Sequence, residues 1–127
     1  MEVLNNVISI KTEDLLLKKA KELGFLENNS LYYLKNLYIK NYKPILYVFN
    51  DKKFIKLRME GNSINISMYN KSDIRTIKCD IDEDERYRLI IEFGDEVECF
   101  DGYNDTSDQY SSRFNEIIKD ILMYLYK

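Results

Sequence analysis

Hydrophobic positions recur along this 127-residue chain with two different periods, and the change of period marks its architecture. In the C-terminal stretch Thr106 to Lys127, Tyr110, Phe114, Ile117, Ile118, Ile121, Leu122 and Leu125 follow the i, i+3, i+4, i+7 spacing of one helical face. Arg113, Glu116, Lys119 and Asp120 fall mostly on the other side. Thr106 followed by Gln109 is a capping-box signature, so the pattern predicts a long amphipathic helix that starts there. A helix of this kind is stable only when its apolar face is covered, which requires a sheet to lie on.

Near the N-terminus, Thr12 reads as a helix N-cap, with Glu13 and Asp14 in the first turn opposing the positive end of the helix dipole. Leu15, Leu16, Ala20 and Leu23 follow at helical spacing, and Gly24 supplies the stop. Asn29-Ser30 then caps a second predicted helix, LYYLKNLYIKN at 31–41. Its apolar residues run almost all round, a pattern that a buried strand would share.

From Pro44 to Asp101 the period is two. Ile45 to Phe49 and Phe54 to Met59 are the first two predicted strands; in the second, Ile55, Leu57 and Met59 alternate with Lys56 and Arg58. Ile64, Ile66 and Met68 share a face of the third, Ile77, Cys79 and Ile81 of the fourth, and Tyr87, Leu89, Ile91 and Phe93 of the fifth. Gly94-Asp95 turns the chain into a sixth, with Val97 and Cys99. A two-residue loop there would set Ile91 opposite Glu98 and a three-residue loop would set it opposite Cys99; the second is expected. The fold class is α+β: one domain over 1–127, with an antiparallel meander of about six strands, two N-terminal helices and a long C-terminal helix packed on the sheet. Cys79 and Cys99 fall on the fourth and sixth strands, which are not neighbours in a meander, so buried free thiols are expected.

Composition adds little to this picture. The chain has 15 Ile, 14 Lys, 12 Asn and 11 Tyr against one Pro and no Trp, a skew that matches AT-rich codons, as of a low-GC bacterial or phage genome. The first residues, MEVLNNVISIK, show no basic lead and no apolar run of signal-peptide length, and the apolar run Ile121 to Tyr126 is far short of the ~20 residues that span a bilayer. A soluble cytoplasmic protein is expected.

Charge is unevenly distributed along the chain. Residues 1–79 carry a net +6, residues 80–108 a net −10 and residues 109–127 a net +1. Concentrated acidity of this kind points to an interaction surface. The candidate partner-binding residues are Asp80, Asp82, Glu83, Asp84, Glu85, Asp95, Glu96 and Glu98, forming an acidic strand and hairpin face for a basic protein partner. Immunity, antitoxin and phage-encoded inhibitor proteins act in this way. The competing reading is an edge kept soluble by charge. Asp105 and Asp108 are assigned to the start of the C-terminal helix, where carboxylates meet its dipole. Asp80, Asp82 and Asp84 have the spacing of the first calcium-loop ligands, but Glu85 and Ile91 stand where that loop needs Gly and Glu, so no metal is assigned.

A second candidate is the interleaved run Tyr32, Tyr33, Lys35, Tyr38, Lys40, Tyr42 and Lys43. Tyrosine faces can stack bases while lysines meet phosphates, so this run is the alternative, nucleic-acid-binding patch. A structural, self-associating domain with exposed tyrosines is the third reading. Catalysis has little support. The chain has no histidine, no phosphate-cradling glycine loop and no nucleophile with a partner base, so no catalytic residue and no cofactor is assigned.

Overall fold

The computed structural model describes residues 2–27, 30–39, 42–51 and 53–126, with side chains from residue 11 onward. The first element is a helix, α1 (Glu2–Glu22). It starts well before Thr12, which lies mid-helix instead of capping it. Thr12, Leu16 and Ala20, four residues apart, are buried. That spacing is one stripe of a helix, so a residue with capping chemistry serves here as a small buried one. The stop is as predicted: Gly24 takes φ +78°, and the Phe25 N–H reaches the Ala20 carbonyl at 2.9 Å.

The predicted second helix is instead a strand, β1 (Leu31–Lys35), paired antiparallel along its length with β2 (Ile45–Phe49). Tyr33 and Leu34, which must point to opposite faces of a strand, are both buried. The all-round apolar pattern thus reports burial on both sides of a sheet. Propensity agrees, because paired tyrosines fit a pleated surface. Among the described residues there is therefore one N-terminal helix, not two.

The period-two region forms β2, β3 (Lys53–Glu60), β4 (Ser63–Asn70), β5 (Ile74–Ile81), β6 (Tyr87–Phe93) and β7 (Glu96–Asp101). These do not make one meander. The first sheet has the order β1-β2-β3-β4 and the second β5-β6-β7, all pairs antiparallel. The break is the 3₁₀ turn Lys71–Asp73, which the sequence marks only as a turn. A hairpin and a corner use the same polar residues, and a long twisted sheet relieves its twist by splitting into two packed layers.

Aromatic rings fill the space between the layers. Phe100 of β7 stands edge-on to Tyr33, Tyr47 and Phe49, at centroid distances of 5.1, 4.8 and 6.1 Å. Phe54 of β3 meets Phe93 of β6 at 5.1 Å. Leu46, Val48, Ile55 and Leu57 have the opposite parity on β2 and β3, the strands that α1 packs against, and are buried too. The first sheet is therefore covered on both faces, and the alternation Ile55, Leu57, Met59 faces away from the aromatic layer.

The β6–β7 hairpin has the two-residue loop Gly94-Asp95, with Gly94 at φ +54°. Ile91 consequently faces Glu98, not Cys99. A slip of one residue inverts every side chain, so this register turns Glu98 inward and Cys99 outward. Both cysteines are free, on strands separated by β6, but they are half-buried and not in the core as expected.

The last helix, α2 (Ser111–Tyr126), starts five residues beyond the predicted cap. Thr106 is buried, and its hydroxyl donates to the Leu37 carbonyl at 2.9 Å beside a parallel bridge between the same residues. A 3₁₀ turn, Asp108–Tyr110, leads into the helix. Phe114, Ile118 and Ile121 are its buried apolar face, as the spacing predicts, and it packs on β1, β6 and β7. No helix among the described residues is long and apolar enough to cross a membrane.

Candidate functional site

A concavity lies where α1, β1 and α2 meet. It encloses about 380 Å³. Leu31, Leu34, Leu37, Phe114 and Ile117 line it with apolar surface, and Tyr32, Tyr38 and Tyr110 add aromatic walls. Glu13, Arg113 and Asp120 bring charge to its lining.

The segment after β1 shapes one wall. Asn36 and Tyr38 both lie in the left-handed region, at φ +67° and +63°. Each such non-glycine residue costs about 1–2 kcal/mol. The distortion buries Leu37 beside Thr106 and sets the Tyr38 ring 4.9 Å from that of Tyr110, tilted by 36°. The electrostatics are local. Burial raises the Glu13 carboxyl above its ordinary pKa, neighbouring Asp14 adds to this, and Arg113 opposes both. Burial also raises the Tyr38 phenol, with Glu13 contributing and Arg113 again opposing. Ser30, the lining residue with an aliphatic hydroxyl, is engaged: its Oγ accepts the Glu27 N–H at 3.0 Å and donates to the Phe25 carbonyl at 3.4 Å.

The predicted Tyr/Lys run is dispersed. Tyr32 and Tyr38 line the cleft. Tyr33 is buried and donates to Asp105 Oδ2 at 2.6 Å. Lys35 reaches the Cys99 carbonyl at 2.5 Å and lies 3.9 Å from Asp105. Tyr42 and Lys43 are exposed, and Lys40 lies outside the described residues. Strand alternation separates neighbours onto opposite faces, so the run does not make one surface.

The acidic residues divide into two groups. Glu98 is buried, accepts the Tyr47 hydroxyl at 2.8 Å and pairs with Lys56 at 2.7 Å. Glu96 accepts the Tyr69 hydroxyl at 2.7 Å. Asp82 Oδ1 accepts the Asp84 and Arg86 N–H groups at 2.9 and 3.0 Å, closing its own turn. Asp80, Glu83, Asp84, Glu85 and Asp95 remain exposed. Asp105, assigned to the dipole of α2, instead belongs to the core: it takes the Tyr33 hydroxyl and the Asp101 N–H, the latter at 2.8 Å. Burial raises its pKa against the pull of those two bonds and of Lys35.

The acidic tip that joins β5 to β6, around Asp82–Arg86, is fixed to α2. Asn115 accepts the Tyr87 N–H at 2.8 Å and donates to the Glu85 carbonyl at 2.9 Å. Glu85 itself is left-handed, at φ +61°.

Residues 11–116 match a family model described as a protein of unknown function (DUF3908). The chain belongs to that family. No curated protein and no solved structure matches it. The family span takes in Glu13, all seven strands, the tip and its Asn115 anchor, and Arg113 and Phe114 of the cleft. It ends before Ile117 and Asp120.

Of the residues that line this cleft, the sequence singled out Tyr32 and Tyr38, as part of a nucleic-acid patch and not of a cleft, and it did not single out Glu13, Tyr110 or Arg113 as site residues. Tyr110 and Arg113 are neighbours around the start of α2, but Glu13 belongs to α1, distant in the chain, so no local spacing unites all three. The one available signal was negative: Arg113 stands beside Phe114 at the start of the apolar helical face.

Proposed function

We propose that this chain is a non-catalytic protein-binding domain whose cleft receives a bulky apolar side chain from a partner segment. The observation that carries this reading is the joining of apolar floor, tyrosine walls and charged residues in one concavity of about 380 Å³. That volume is within the range of ligand sites, which are largely apolar with a few convergent polar groups. An inserted aliphatic or aromatic group gains from burial there, and the rings of Tyr32, Tyr38 and Tyr110 add edge contacts. The charged residues select what flanks the anchor. Glu13 and Asp120 favour a basic neighbour and Arg113 an acidic one. The engaged Ser30 hydroxyl and a sequence without histidine supply no activated nucleophile.

A second reading is favoured by one observation, the Asn115 anchor under the acidic tip. Carboxylates held in place before contact lose less freedom on docking, so Glu83, Asp84 and Glu85 would form a preorganised face for a basic partner. A pull-down from the native host tests both readings. The baits are the wild type, Ile117→Arg, which places a charge in the cleft, and a combined Glu83→Gln, Asp84→Asn, Glu85→Gln variant. Loss of a partner with Ile117→Arg alone supports the cleft, and loss with the tip variant alone supports the acidic face. Equal recovery by all three baits discards both.

A further inference from the structure

The outer edge of β5 offers backbone groups that no strand among the described residues takes up, since β5 ends its sheet and does not pair with β4. The Asp82 N–H donates to the Arg86 carbonyl at 3.2 Å, which fixes the alternation of the β5–β6 ladder. Counting back along the strand, Asp80 and Lys78 turn their backbone groups toward β6. Ile77, Cys79 and Ile81 therefore turn theirs away from it, to the open edge.

Around Cys79 the strand is a chemical palindrome, Ile-Lys-Cys-Asp-Ile. Ile77 and Ile81 are 37% and 51% exposed, although they share the parity of buried Leu89 and Ile91. A β-bulge between Ile74 and Thr76 bends the edge on one side, and the Asp82 turn ends it on the other. What remains free is the palindromic segment.

We propose that this edge pairs antiparallel with the same edge of a second copy of the chain, with Cys79 opposite Cys79 on the two-fold axis. Charge complementarity selects this occupant and this register. Lys78 faces Asp80 of the other copy, and Asp80 faces its Lys78. Both are non-hydrogen-bonded pairs, in which side chains approach closest, with Cα atoms about 4.5 Å apart. Ile77 and Ile81 face each other twice on the opposite surface and cover their exposed area. Ile77, Cys79 and Ile81 exchange backbone bonds with their opposite numbers, filling the open edge. Within each chain Lys78 lies 3.8 Å from Glu92, and Asp80 stands opposite Arg88. The dimer would extend these into an alternating row, Arg88, Asp80, Lys78 and then Glu92, running from one copy to the other. The β4 edge, Ser63–Asn70, has no charged residue and offers no such selection.

Light scattering after size exclusion tests this. The wild type is expected at twice the 15.3 kDa chain mass. Lys78→Asp sets carboxylate against carboxylate in both pairs, and Asp80→Lys sets ammonium against ammonium. Each alone should dimerise roughly tenfold more weakly or not at all. An equimolar mixture of the two variants should recover the dimer, because each then supplies the charge the other lacks, and this recovery shows that both are folded. A short bis-maleimide should join two chains through Cys79, so that Cys79→Ser abolishes the link and Cys99→Ser does not. A monomeric wild type up to about millimolar concentration overturns the proposal. So does a dimer that both charge reversals leave intact, or a link that runs through Cys99.

Discussion

The Tyr47 hydroxyl donates to Glu98 Oε2 at 2.8 Å and so ties the first sheet to the second through the middle of the core. The same arrangement occurs again nearby, where Tyr33 donates to Asp105 at 2.6 Å. Each carboxylate also has a lysine: Lys56 at 2.7 Å from Glu98 and Lys35 at 3.9 Å from Asp105. Two tyrosine–carboxylate–lysine sets thus stand among aromatic rings, where an unpartnered charge is costly.

Removing one member of such a set should cost more than removing all of them. Lys56→Met leaves the Glu98 carboxylate buried with one hydrogen bond and is expected to destabilise by about 3 kcal/mol. Replacing Tyr47, Lys56 and Glu98 together by Phe, Met and Leu is expected to return most of that loss. Urea denaturation midpoints of the single and triple variants check the order.

Alkaline stability should depend on two phenols. Burial, and then the neighbouring carboxylate, raise Tyr33 and Tyr47 far above the ordinary tyrosine pKa of 10.0. A group whose folded pKa is raised contributes stability that is complete below the unfolded value and is lost as pH rises above it. From about pH 10 upward each phenol should therefore subtract about 1.4 kcal/mol per pH unit. Denaturation curves across that range should be shallower in pH for Tyr47→Phe than for the wild type by this slope.

The acidic tip should loosen when its anchor is cut. Asn115→Ala leaves the Tyr87 N–H and the Glu85 carbonyl without their partner. A loss of about 1–3 kcal/mol is expected, together with faster amide exchange at Tyr87 and in the turn before it. Unchanged exchange there would show that α2 does not hold the tip.

Two glycines should respond differently to alanine. A Cβ at Gly102 would lie 2.8 Å from the Asn115 amide nitrogen and 2.9 Å from the Ser111 carbonyl oxygen, both backbone atoms of α2. The helix would have to move, at a cost of about 2–3 kcal/mol. Gly94 has open space around it, and only its φ of +54° resists a side chain, at about 1 kcal/mol. Thermal midpoints should therefore fall further for Gly102→Ala than for Gly94→Ala.

By itself the sequence determined the elements whose own residues face one environment throughout. The helical stripe Phe114, Ile118, Ile121 and the alternation Leu89, Ile91, Phe93 of β6 were legible because a buried face and a more open one impose a period. The stop at Gly24 was legible because a left-handed residue is a local requirement. Tertiary structure decided the rest. β1 has no period of its own, because both its faces are covered, and only pairing with β2 distinguishes it from a helix. Thr106 and Asp105 carry the chemistry of a helix start, but the Leu37 carbonyl and the Tyr33 hydroxyl engage them first. The acidic strip is continuous in the chain and divided in space, since the two-residue turn at Gly94 sends Glu98 inward to Tyr47 and Lys56. The cleft joins Glu13, Tyr38 and Arg113, residues related by no spacing, because two helices and a strand converge there. Contacts between distant segments leave no period in a sequence, and that is why the site had to be read from the fold.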